Sequence, residues 1–349
     1  MVLGLYLSVE FLVFRTNLYP PFCKPDSTTG KYEAILRSER ERPLTARHEV
    51  LVIGDSRLAE GFSARIANNV AAESGFHFSN AAMGGAGPRV WYYLLRDLDP
   101  DACRYQFIVL GLDDFSDQDR AEDLAGRVFD LHYVIRRLRF SDIPEFSGSF
   151  STPAKRFEVL LGATLKGLTY KRDLQNFLLH PARRLQELDS DRLNFANLQY
   201  SYVGHAESLA GLQADWSQES LRNADHLTSV QKAELAGSLF PSAIPQLGHA
   251  AQFRRHWLAK IAGRYQATST RILFVRLPQG PYIRPRVLRL NNHSVVGDLV
   301  QSGSAQVVPE NYFDPLQTPE LFFDGMHLNR EGRLRFSVML ARWIEERMK

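Results

Sequence analysis

Short apolar runs closed by turn residues alternate with longer stretches whose apolar positions recur every three or four residues. The runs Val50–Ile53, FHFSN ending at Asn80, QFIVLGL from Gln106 to Leu112, and RILFVRL stopped by Pro278 read as strands. AQVV, near Val307, reads as a last short one. Between them lie helical patterns. One begins at Ser63 as N-cap and runs through ARIANNVAAE, and GPRVWYYLLRDL carries Pro88 in its first turn, where a missing N–H costs nothing. QFRRHWLAKIAGRYQ follows the same pattern, and NREGRLRFSVMLARWIEE begins at Asn329 with Phe336, Leu340 and Ile344 along one face. Strands alternating with helices predict an α/β fold on a mostly parallel sheet of about five strands, joined by right-handed crossovers.

The alternation breaks between about residues 115 and 250, where the patterns are helical without convincing strands. This stretch is too long for a bare loop and reads as a mainly helical insertion in one α/β domain spanning residues 46–349. The first 45 residues read differently. Met1–Phe14 is apolar apart from Ser8 and Glu10, yet shorter than the roughly 20 residues a spanning helix needs. It lacks a basic leader and a cleavage site. A truncated membrane anchor, an interfacial helix and a buried first helix all stay open. TNLYPPFCKPDSTTGKYE, rich in Pro, Ser and Thr, reads as a linker leaving a membrane.

Composition adds limits. Hydrophobic residues at 44% and charged residues at 23% allow a sizeable core, and a net charge of +3 gives no reason to expect nucleic acid as a partner. Cys23 and Cys103 form no metal spacing, and no metal or cofactor is expected.

In parallel sheets, ligands bind beyond the carboxyl ends of the strands. Three segments fall there: Gly54-Asp55-Ser56, the glycine cluster after Asn80, and Gly111–Asp114. A serine nucleophile needs a base, and the base needs a group to hold its tautomer. Among ten histidines, His327 stands three residues after Asp324 and directly before the final helix. An Asp-x-x-His turn can set the carboxylate against one ring nitrogen and leave the other facing out, toward Ser56 if this loop folds over the first strand.

IGDSR after a first strand, NAAMGGAG after a second, VLGLDD after a third and DGMH before the last helix resemble, in order and placement, the blocks of the SGNH (GDSL-type) hydrolases. The resemblance covers roughly residues 50–114 and 272–344. It implies a flavodoxin-like three-layer sandwich, a metal-free site, Ser56 as nucleophile, His327 as base and Asp324 as its orienter. The Ser56 and Gly85 N–H groups would form the oxyanion hole. The family's third block usually supplies an Asn side chain as a further donor, and this chain carries Asp113 there. An ionised carboxylate only accepts hydrogen bonds, so Asp113 opposes the role unless it turns away, is protonated or yields to another donor.

GDSR, the looser third block and the apolar N-terminus are similar to membrane-tethered members of bacterial envelopes linked to O-acylation of exported polysaccharides. That resemblance implies an acyl esterase or acyltransferase on the extracytoplasmic side, with an acylated carbohydrate or other small ester as substrate and a membrane-bound acyltransferase as partner. Two other classes stay open: a non-catalytic glycan-binding or scaffold module, and a lipid or thioester hydrolase. Each residue also has a plainer reading. Ser56 can be a turn or N-cap residue, Asp324 a turn cap, and DDFSDQDRAED a solvated helix start. GGAGP lacks the full spacing of a nucleotide loop. Arg284, Arg286 and Arg289 are candidates to grip an anionic substrate group or belong to a solvated basic loop.

Overall fold

The computed structural model describes residues 2–347 except 17, 114, 116–125, 189–199, 226, 241–249 and 284–293. In chain order the strands are β1 (His48–Ile53), β2 (Phe76–Asn80), β3 (Phe107–Leu112), β4 (Gln213–Asp215), β5 (Ser220–Arg222), β6 (Arg271–Arg276) and β7 (Gln306–Val307). Five of them form one parallel sheet in the order β2-β1-β3-β6-β7, which is the flavodoxin-like doubly wound arrangement. The order reverses between β1 and β3, so the crevice for a ligand opens beyond Ile53 and Leu112.

Continuous apolar strands are what a sheet covered on both faces requires, because alternate side chains point to opposite layers. Leu51, Ile53, Ile108, Leu110 and Phe274 enter one core, with the helices Thr28–Glu41, Pro88–Leu98 and Ala250–Tyr265. Val50, Val52, Val109, Leu273 and Val275 enter the other, with Ala64–Val70 and Arg330–Arg347. The predicted caps form: Ser63 accepts from Ile66 N, and Asn329 Oδ1 accepts from Gly332 N at 3.0 Å.

The described residues of the stretch 115–250 divide between the two cores. Leu131, Tyr133, Val159 and Tyr170 join the first core, whereas Leu209, Leu212, Leu235 and Leu239 join the second. The stretch also contains the small antiparallel hairpin β4–β5, which the sequence reading lacked.

The linker reading is corrected. Ser27 caps a helix over Thr28–Glu41 whose Tyr32, Ile35 and Leu36 are buried, and Phe14, Tyr19 and Cys23 enter the same core. Pro, Ser and Thr there cap and turn the chain rather than loosen it. The preceding helical stretch, Val2–Val9 continued by a π-turn to Phe14, buries Glu10 and Phe14 and leaves Leu7, Val9, Phe11 and Leu12 exposed. Among the described residues, no helix is long and apolar enough to cross a membrane.

Candidate active site

β1 ends at Ile53, and Asp55 then caps the short helix Ser56–Gly61, its side chain accepting from Arg57 N at 2.9 Å. Ser56 is therefore the first residue of that helix, with its N–H among the donors that no preceding turn satisfies. Asn80, at the end of β2, braces this helix from the side. Its Nδ2 donates to Phe62 O at 3.0 Å and its Oδ1 accepts from Ala82 N at 2.9 Å.

His327 reaches Ser56 from the loop before the last helix. The Ser56 hydroxyl lies 2.8 Å from His327 Nε2, and His327 Nδ1 lies 2.7 Å from Asp324 Oδ2. With Nδ1–H donating to the carboxylate, Nε2 is free to accept the serine proton. The other carboxylate oxygen, Oδ1, accepts from the backbone N–H of His327 at 2.7 Å and of Met326 at 2.8 Å. Burial alone would raise the Asp324 carboxyl. The hydrogen bonds from the His327 ring and from these two N–H groups outweigh it and hold the group below its ordinary value. The loop is also held from outside: Phe323 stacks on the His327 ring at 5.7 Å between centroids, and Ser238 Oγ donates to Gly325 O at 3.3 Å.

The glycine cluster closes the other side of Ser56. A Cβ placed on Gly84 would stand 3.7 Å from Ser56 Cβ, so this backbone runs beside the nucleophile. Gly85 has φ +79°, a left-handed conformation that a side chain would strain. Its N–H has no hydrogen-bond partner among the described residues. Gly85 directly follows Gly84, the residue whose backbone runs beside Ser56.

Asp113, after β3, is turned toward the helix Ala250–Tyr265. Its Oδ1 accepts from Arg254 Nη2 at 2.9 Å, and its backbone carbonyl accepts from Gln279 Nε2 at 2.9 Å. Arg254 is 3% exposed, so a buried cation neutralises this carboxylate. The Asp113 charge still reaches the site. The Asp55 carboxyl is pushed above its ordinary value first by loss of hydration and then by Asp113, with Arg57 opposing.

The structure thus brings together Ser56, His327 and Asp324, sets Gly84, the neighbour of Gly85, beside Ser56, and gives Asp113 a salt-bridging partner. Arg284 and Arg286 lie outside the described residues. Sequence reasoning missed Arg254, Arg127 and Tyr133, the last two of which contact the glycine cluster. The signal for Arg254 was a carboxylate in a donor's place, which calls for a cation. No local pattern marks the other two. No model of a known protein family matches the chain, and neither does any curated protein.

Proposed function

We propose that the protein is a serine-dependent acyl esterase or O-acyltransferase working through an acyl-Ser56 intermediate. The observation that carries this reading is the continuous hydrogen-bonded series Ser56–His327–Asp324. His327 Nε2 takes the Ser56 proton as Oγ attacks the acyl carbonyl, and Asp324 stabilises the imidazolium that results. The Ser56 and Gly85 N–H groups face the oxygen on which charge develops. Collapse expels the alcohol, which receives its proton from Nε2 and leaves the acyl group on Ser56. A water molecule or a second hydroxyl, deprotonated by Nε2, then resolves the ester. Water makes an esterase, and a hydroxyl makes a transferase.

The order of the IGDSR, NAAMGGAG and DGMH blocks supports assignment to the SGNH type, and their similarity to envelope members favours an O-acylated carbohydrate as substrate. The exposed Leu7, Val9, Phe11 and Leu12 support a membrane-facing N-terminus. A second reading, a non-catalytic glycan-binding module, is favoured by Asp113, an acceptor where a donor would serve the oxyanion.

Labelling with a fluorophosphonate decides between them. The enzyme reading expects covalent modification at Ser56, lost in Ser56→Ala, together with hydrolysis of p-nitrophenyl acetate. An unlabelled Ser56 and no turnover of any aryl ester would leave the binding module.

A further inference from the structure

The glycine cluster is held from the insertion by two side chains. The Tyr133 hydroxyl donates to Gly84 O, and Arg127 Nη1 donates to Gly85 O. These carbonyls belong to the two peptide units that flank Gly85. In a trans peptide the C=O and N–H point in opposite directions. A donor fixed on Gly84 O therefore fixes the Gly85 N–H on the far side of the same plane. The bond acts electronically as well, since a carbonyl that accepts a hydrogen bond polarises its own N–H into a stronger donor.

We propose that Tyr133, which aims and polarises the Gly85 N–H through Gly84 O, and Arg127, which fixes the following peptide through Gly85 O, are positioning residues that direct this N–H toward the substrate oxyanion, and that this is a positioning task of the insertion. The proposal rests on the acyl-transfer reading above. Glycine at 85 has no side chain to lock its own rotation, and its φ of +79° is one that other residues rarely adopt. The aim must come from outside. A Cβ on Gly85 would stand 3.4 Å from Arg127 Nη1 and 3.5 Å from the Tyr133 hydroxyl, so both groups close directly over this residue.

The clamp is itself anchored. Tyr133 is 3% exposed on the helix Asp130–Val134, and burial pushes its hydroxyl up to about 12, so it remains protonated as a donor. Asp130, at the start of the same helix, faces Arg89 at 3.3 Å. Arg89 lies in the first turn of the helix that leaves the glycine cluster, between the rings of Phe150 and Phe253 at 3.6 and 4.5 Å. The loop and its clamp are thus tied at two points, through the carbonyls and through this ion pair. Phe253 adjoins Arg254, which holds Asp113, so one helix braces both sides of the site.

The test compares Tyr133→Phe, Arg127→Met and Arg127→Lys with the unmodified protein. Tyr133→Phe should lower kcat for p-nitrophenyl acetate by about tenfold or more, with KM within about twofold and the shape of the pH–rate profile unchanged. Arg127→Met should do the same, and Arg127→Lys, which keeps a cationic donor, should recover part of the loss. Independently of turnover, the Gly85 amide resonance should shift and its hydrogen exchange quicken in Tyr133→Phe. An unmoved Gly85 amide overturns the clamp, and a moved amide with unchanged kcat overturns its catalytic role. If the unmodified protein neither turns over ester nor labels at Ser56, the acyl-transfer reading fails and the catalytic role fails with it; the Gly85 amide then still decides whether the clamp exists.

Discussion

Asp324 does two jobs with one carboxylate: Oδ2 holds the His327 ring, and Oδ1 ties the backbone of the same loop. Asp324→Asn keeps the shape but presents N–H₂ or a neutral oxygen to Nδ1, which upsets the tautomer that frees Nε2. The expected result is a fall in kcat of roughly 10³–10⁴ with KM little changed, read with p-nitrophenyl acetate. Asp113 carries a different expectation. A free carboxylate there would predict a faster enzyme on conversion to Asn. Its pairing with buried Arg254 means that Asp113→Asn instead removes a charged acceptor from a guanidinium withdrawn from water. The variant should lose about 1–3 kcal/mol of stability in urea titration and show no tenfold gain in rate. The triad was legible because Gly-Asp-Ser and Asp-x-x-His are local patterns at strand and helix ends. Arg254 was not, since 141 positions separate it from Asp113 and only the crossover brings them together.

Among the elements, Arg89 and Asp130 form a buried ion pair at 3.3 Å between the core helix Pro88–Leu98 and the insertion. Burial pushes Asp130 up to about 6, with Arg89 and Arg127 opposing, and pushes Arg89 down to about 10. Asp130 thus binds its proton more tightly in the folded chain than in the unfolded one, where the ordinary value is 3.8. Its contribution to stability is greatest below pH 3.8 and declines as pH rises toward 6. Urea titrations across that window should show this decline, and Asp130→Asn should remove it. The sheet strands were readable as apolar runs ended by turn residues. The hairpin was not, because QAD and SLR are too short and too polar to carry a period. The helix Thr28–Glu41 did carry its stripe of Tyr32, Ile35 and Leu36, but Pro and Ser just before it disguised a cap as a linker.

At the scale of the whole molecule, the N-terminal stretch is part of the fold. Glu10 is 1% exposed and accepts from Lys166 N and Gly167 N, both at 2.8 Å, where its charge meets the positive end of the helix Lys166–Leu179. Phe14 lies 5.8 Å from Tyr170 between ring centroids and is buried with it. Phe14→Ala should therefore cost about 3–5 kcal/mol, seen as a lower urea midpoint. A segment that only tethered the domain would leave that midpoint unchanged. Apolar composition alone could not separate these roles, because a membrane and a protein core select the same residues.

The 271 positions between Ser56 and His327 also matter while the chain is being made. At roughly 5–20 residues per second, Ser56 exists for about 15–50 s before the histidine proposed as its base is synthesised. The base loop is then held in place by the helix Arg330–Arg347, which packs on the helices that follow β1. On the acyl-transfer reading, a nascent chain therefore displays the serine without the base that takes its proton, and esters met during synthesis are left untouched. On the same reading, competence arrives at once with docking of that last helix, so a ribosome stalled short of it releases an inert product rather than a partly active one.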